Sequence, residues 1–113
     1  MTARLTSQIL IGVLLRRVQA QGGHGTVLHK GEPLSGTIVV QAVDRGRTIG
    51  LFERVTSLDG TLSLTPCGPR DLTQDSEISQ YIDRRTRVDP DIWFVELDVA
   101  DGERLAVEIL CTS

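Results

Sequence analysis

The chain has 113 residues, 40% of them apolar, with 12 Lys and Arg against 15 Asp and Glu for a formal net charge of −3. That length fits one domain over residues 1–113, burying roughly two thirds of its unfolded surface around a single core, and the negative balance excludes the generally basic surface of a nucleic-acid-binding domain. Cys67 and Cys111 form no C-x-x-C or metal-ligand spacing, so they are read as small apolar residues of a reducing cytoplasm, with no disulfide framework and no metal site.

The first element is a helix from about Leu5 to Gln21, stopped by Gly22-Gly23. Its apolar run Ile9 to Leu15 follows Arg4, and Val18-Gln19-Ala20 is similar to a signal-peptidase site, but Arg16 and Arg17 stand between the two. A run this short cannot span a bilayer. The segment is therefore expected to be a buried helix without membrane attachment, with Met1 or Thr2 kept at the N-terminus. Arg17 falls on the apolar arc of this helix, among Leu10, Val13 and Leu14.

From Gly25 the pattern alternates. A short strand is predicted over Thr26 to Lys30 and a loop over Gly31 to Gly36. Three strands follow, Thr37 to Asp44, Arg47 to Ser57 and Thr61 to Thr65, joined at Arg45-Gly46 and Asp59-Gly60. Two-residue turns at both places set Val40 opposite Leu51 and Val55 opposite Leu64. Ile38, Val40, Ala42, Ile49, Leu51, Val55, Leu62 and Leu64 then share one apolar face. The reverse face, with Val39 and Phe52 among polar residues, is left as a contact surface.

A second helix is predicted over Ser76 to Val88, N-capped by Asp75 or Thr73 and stopped by Asp89-Pro90. Its apolar face holds Ile78, Tyr81 and Ile82, and Arg85 falls among them. Beyond Pro90, Ile92 to Val99 and Arg104 to Cys111 read as a closing hairpin about Asp101-Gly102. The predicted fold is thus α+β and two-layered, an antiparallel sheet of a meander plus a C-terminal hairpin, with two helices packed on one face.

The candidate binding residues are Arg16, Arg17, Arg84, Arg85, Arg87, Trp93 and Glu96. Arg17 and Arg85 point inward from apolar helical faces, while Glu53, Glu96 and Asp98 lie in apolar strand rows. A largely buried network is expected, with Arg85 meeting Glu96 or Asp98 and Arg17 meeting one of the same acids or Asp89.

Leu14-Leu15-Arg16-Arg17-Val18-Gln19-Ala20-Gln21-Gly22-Gly23, Thr26-Val27-Leu28 before Lys30-Gly31, Leu51-Phe52-Glu53-Arg54, and Arg84 to Glu96 through Pro90 and Trp93 together resemble a small proteobacterial family, domain of unknown function 1491. The similarity covers nearly the whole chain, and the arginine-to-Trp segment is its most specific part. It implies no activity.

Chemical motifs are sparse. His24 and His29 have no Cys or acid at ligand spacing and are read as surface residues. Gly22-Gly23-His24-Gly25 follows a helix, whereas a phosphate loop precedes one. The serines stand in no nucleophile elbow, so no catalytic residue and no cofactor is assigned. Asp91 with Glu96 and Asp98 faintly resembles the carboxylates of a metal-dependent phosphodiesterase, which needs them clustered in an open site. The reading that remains is a non-catalytic cytoplasmic interaction module, using the sheet face or a strand edge to hold a protein partner or a second copy. The alternative is anion or nucleic-acid binding through the arginine-rich helix end.

Overall fold

The computed structural model describes residues 5–112, so the expectation for Met1 and Thr2 falls outside the described residues. The elements in chain order are α1 (Ser7–Ala20), β1 (His24–His29), β2 (Ile38–Asp44), β3 (Arg47–Thr56), β4 (Leu62–Cys67), α2 (Asp75–Val88), β5 (Trp93–Asp98) and α3 (Gly102–Leu110). The class is α+β, as expected. Five strands form one open sheet in the order β1-β5-β2-β3-β4, antiparallel except where β2 and β5 run parallel.

Local signals set the helix ends. Thr6 caps α1, its Oγ1 accepting the Ile9 N–H at 3.2 Å, and Gly22 (φ 82°) reverses the chain while Gly23 N–H returns to the Val18 carbonyl at 2.9 Å. α2 ends where Asp89 turns extended ahead of Pro90. Its N-cap is Gln74 and no side chain bonds the helix start; Thr73, one expected cap, instead bonds Asp71.

The sheet is covered on both faces, not one. β2 and β5 are central strands buried on both sides, and residues alternate along them. Ile38, Val40, Trp93, Val95 and Leu97 pack against Leu10, Leu14 and Val18 of α1 and Leu105 and Leu110 of α3. Val39, Leu51, Ile92 and Phe94 pack against Ile78 of α2 on the opposite face. The expected two-layer stack with both helices on one side is corrected accordingly.

Three further corrections have distinct causes. Ile49 forms a bulge, so Val43 still faces Thr48 but Val40 faces Phe52 rather than Leu51. The next turn holds three residues: Ser57 N–H bonds the Thr61 carbonyl at 2.9 Å, with Gly60 at φ 88°, so Leu64 faces Arg54 rather than Val55. The two slips cancel between β2 and β4, leaving Leu62 and Leu64 on the Val40 face, while Leu51 and Val55 change sides. Lastly, residues 102–110 form α3 and not a strand. Leu105, Ala106, Ile109 and Leu110 recur at helical spacing, and Asp101 enters the helix in the left-handed region at φ 58°. With the closing hairpin gone, β5 inserts between β1 and β2.

The proposed sheet-face contact surface closes as well. Val39 is fully buried under α2, and Phe52 is only 8% exposed on the other side. Among the described residues no helix is long and apolar enough to cross a membrane.

Candidate functional site

α2 meets the sheet along Ile78, Tyr81, Ile82 and Arg85, the i, i+3, i+4, i+7 stripe of one helical face. The Tyr81 and Arg85 flank leans over β3 and β4. Arg85 Nη1 bonds Glu53 Oε1 of β3 at 2.9 Å and donates to Tyr81 Oη at 2.6 Å, with both charged side chains about 30% exposed. Tyr81 meets Phe94 edge-on at 6.4 Å between centroids. Burial pushes the Cys67 thiol of β4 up, away from its reactive thiolate, against the hydrogen bond from Tyr81. Burial likewise raises the Tyr81 hydroxyl, with Cys67 adding to the rise. For Arg85, desolvation works against the charge, but the bonds to Glu53 and Tyr81 outweigh it and hold the guanidinium more firmly protonated. The cluster is a neutral thiol and phenol around a closed ion pair.

Arg85 therefore finds Glu53, and not Glu96 or Asp98, because its flank of α2 overlies β3 and not β5. Arg17 meets neither those acids nor Asp89: α1 lies on the other face beside α3, and Arg17 pairs with Glu108 at 3.7 Å, both side chains half exposed. Arg16 is exposed on α1. Arg84 and Arg87 are exposed on α2, the Arg87 Nε donating to the Asp83 carbonyl at 3.3 Å. The sheet thus separates Arg16 and Arg17 from Arg84, Arg85 and Arg87. Trp93 is buried against α1 and α3, and its Nε1 donates to the Glu32 carbonyl at 2.8 Å, pinning the loop before β2.

Glu96 lies on the α2 side, in a cleft of about 520 Å³ between the Ile82 flank of α2 and the strands β1, β5 and β2. Gln41, Glu96 and Asp98 line its sheet side, Ile78, Ile82 and Asp83 its helix side, and Leu28 its outer flank. Gln41, only 8% exposed, donates to Thr48 Oγ1 at 3.0 Å. Asp91 lies in a different pocket with Glu32 and Asp89, so the carboxylates of the phosphodiesterase reading do not converge. Among the described residues no three His, Cys, Asp or Glu side chains come together as metal ligands. His29 is engaged through Nδ1 with the Ile92 carbonyl at 2.8 Å.

In sequence, Asp75 is expected only as a cap and Cys67 only as a small apolar residue, and no site role is expected for Cys67, Gln41, Asp75 or Asp83. A signal for the cleft was present in Gln41, the one polar residue inside the run Ile38 to Val43, and in the spacing of Asp75, Ser79 and Asp83 along one stripe of α2. Cys67 gave none, since its contact with Tyr81 depends on the register of β4.

Comparison with known proteins agrees with this architecture. No curated protein matches the chain. The NMR structure of a DUF1491 family protein from Caulobacter crescentus CB15 is 33% identical, with a TM-score of 0.77, over 92% of this chain and 94% of that one. The crystal structure of a DUF1491 family protein from the same organism is 34% identical over 90% and 94%, also with a TM-score of 0.77. The solution structure of protein Atu0922 from A. tumefaciens is 26% identical over 97% and 94%, with a TM-score of 0.70. The family model described as protein of unknown function (DUF1491) matches residues 5–107, and the chain belongs to that family.

Proposed function

We propose that this protein is a non-catalytic interaction module of the cytoplasm, which takes a protein partner or a second copy on the free edge of β1. The observation that carries this reading is the character of that edge. β1 is the terminal strand of the sheet, and among the described residues nothing pairs with its outer side. The strand carries no Lys, Arg, Asp, Glu or Pro, the residues with which exposed edges are usually blunted. Val27 and Leu28 are 38% and 41% exposed on it. The other edge, β4, is interrupted by Pro66. A bulge at Leu28 disturbs the ladder to β5, but His24 to Val27 remain regular and can template an added strand. The two free cysteines suit a reducing compartment.

The test is quantitative co-purification with wild type and Val27→Lys, which places a charge on the edge and keeps an aliphatic stem over the face. A partner enriched by wild type and lost with the variant supports the reading. An unchanged set of captured proteins contradicts it.

A second reading, anion or nucleic-acid binding, draws on Arg84 and Arg87. Both are exposed, and neither has a carboxylate within 4.0 Å among the described residues. It requires an affinity that falls steeply with salt. Arg16 cannot join that patch, because it lies across the sheet.

A further inference from the structure

The cleft beside β1 carries an uncompensated charge. Glu96 and Asp98 line its sheet side, and Asp75 and Asp83, eight positions apart on α2, line its helix side. These four carboxylates alone exceed the formal net charge of −3 of the whole chain. The ion pairs between described residues lie elsewhere, on Glu53 and Glu108, and no described Lys or Arg comes within 4.0 Å of any of the four. Arg45 and Arg47 flank Gly46 at the mouth but sit exposed in the turn. Four carboxylates facing one trough make its potential negative, and such a trough attracts a cationic ligand.

The trough also has apolar walls in Ile78, Ile82, Val43 and Leu28. A small bare ion does not match it, because the carboxylates do not gather into a ligand set. Arginine or lysine does: the aliphatic stem lies along the apolar walls while the head reaches the acids. β1 contains no Arg or Lys, so a second copy paired β1 to β1 brings no guanidinium or ammonium head from that strand.

We infer that the cleft receives the basic side chains of a segment from another protein, docked along β1. This rests on the reading of β1 as the docking edge and names the chemistry of the partner. An added strand lies about 5 Å outside β1. Its side chains on the α2 side stand beside Leu28, on the face that carries Glu96 and Asp98, and a long basic side chain leaning over β1 reaches toward these acids, about 10 Å away across two strand spacings.

The experiment is a titration of ¹⁵N-labelled protein at low salt with two short synthetic peptides, one alternating valine with arginine and the other valine with glutamate. Wild type, the double variant Glu96→Gln/Asp98→Asn and the single variant Asp83→Asn are compared. The arginine peptide should shift the amides of β1 and of Ile82, Glu96 and Asp98. Its affinity should fall about tenfold or more in the double variant, as expected for losing charge-assisted contacts, and Asp83→Asn should weaken it in the same sense. The glutamate peptide should not bind. Equal affinity of the arginine peptide for wild type and both variants overturns the inference. If both peptides shift β1 alone, strand docking stands and the basic partner is refuted; if neither shifts β1 or the cleft, both fall.

Discussion

Replacing Arg85 with Met tests whether the guanidinium facing the sheet is part of the fold or a ligand site. The substitution keeps the aliphatic stem and removes the 2.9 Å contact to Glu53 and the 2.6 Å bond to Tyr81. Breaking a fully buried pair costs about 3 to 5 kcal/mol, because the remaining charge is stranded, whereas an exposed pair is worth at most about 1 kcal/mol. Arg85 and Glu53 are 30% and 28% exposed, nearer the buried limit, which places the expected cost at about 2 to 3 kcal/mol. For a domain of this size that is a fall in Tm of roughly 10 °C. The assay is thermal unfolding by circular dichroism for wild type, Arg85→Met, Glu53→Gln and the double variant. The pair predicts that the double variant loses clearly less than the sum of the singles, because the second substitution removes the stranded partner. If Arg85→Met leaves Tm unchanged and abolishes binding of an anion or partner, the pair is not structural and Arg85 belongs to a site.

Other perturbations separate the remaining claims. Trp93→Phe removes the 2.8 Å bond to the Glu32 carbonyl, which keeps only the Gly36 N–H at 3.2 Å, and should cost about 0.5 to 1.5 kcal/mol by urea unfolding; an unchanged midpoint would show that the bond does not hold the loop. Leu110→Ala, at a fully buried position of α3 beneath the Arg54 bond to its carbonyl, should cost about 2 to 5 kcal/mol, whereas a surface strand there would tolerate it. Alkaline pH is the third lever. Cys67 and Tyr81 are raised above ordinary values of 9.0 and 10.0, chiefly by burial. Groups held neutral in this way contribute stability that is complete below the unfolded values and lost as pH rises through the folded ones. Tm should therefore decline above about pH 9, with a shallower slope in Cys67→Ala; equal slopes would remove the thiol from the account.

The parts of the fold legible in sequence are those with a local cause. α1 ends at Gly22-Gly23, α2 ends before Pro90, and both hairpins fall where the glycines place them. What the chain did not show depends on single residues that break a regular count. Ile49 bulges, and the Asp59-Gly60 turn also takes Leu58, so Leu51 turns toward α2 rather than α1. The run Leu105 to Leu110 satisfies alternation at Leu105, Val107 and Ile109 and helical spacing at Leu105, Ala106, Ile109 and Leu110, and only packing against α1 decides between them. The uninterrupted apolar triplets Ile38-Val39-Val40 and Trp93-Phe94-Val95 are the mark of central strands buried on both faces, which the expectation of helices on one face missed because it counted only alternate residues. The candidate site was legible to a similar degree. The inward direction of Arg85 follows from helical spacing, but its partner depends on which strands α2 crosses. Arg17 and Arg85 cannot join one network, because α1 and α2 lie on opposite faces.

The claim that β1 is the docking edge is tested most directly by amide hydrogen exchange of the protein with and without a co-purified partner. Strand addition hydrogen-bonds the outward N–H groups of β1, so exchange within His24 to Leu28 should slow by about tenfold or more, while β4 at the other edge stays unchanged. Protection confined to the Arg84 and Arg87 side of α2, with β1 exchanging as fast as in the free protein, would contradict the account.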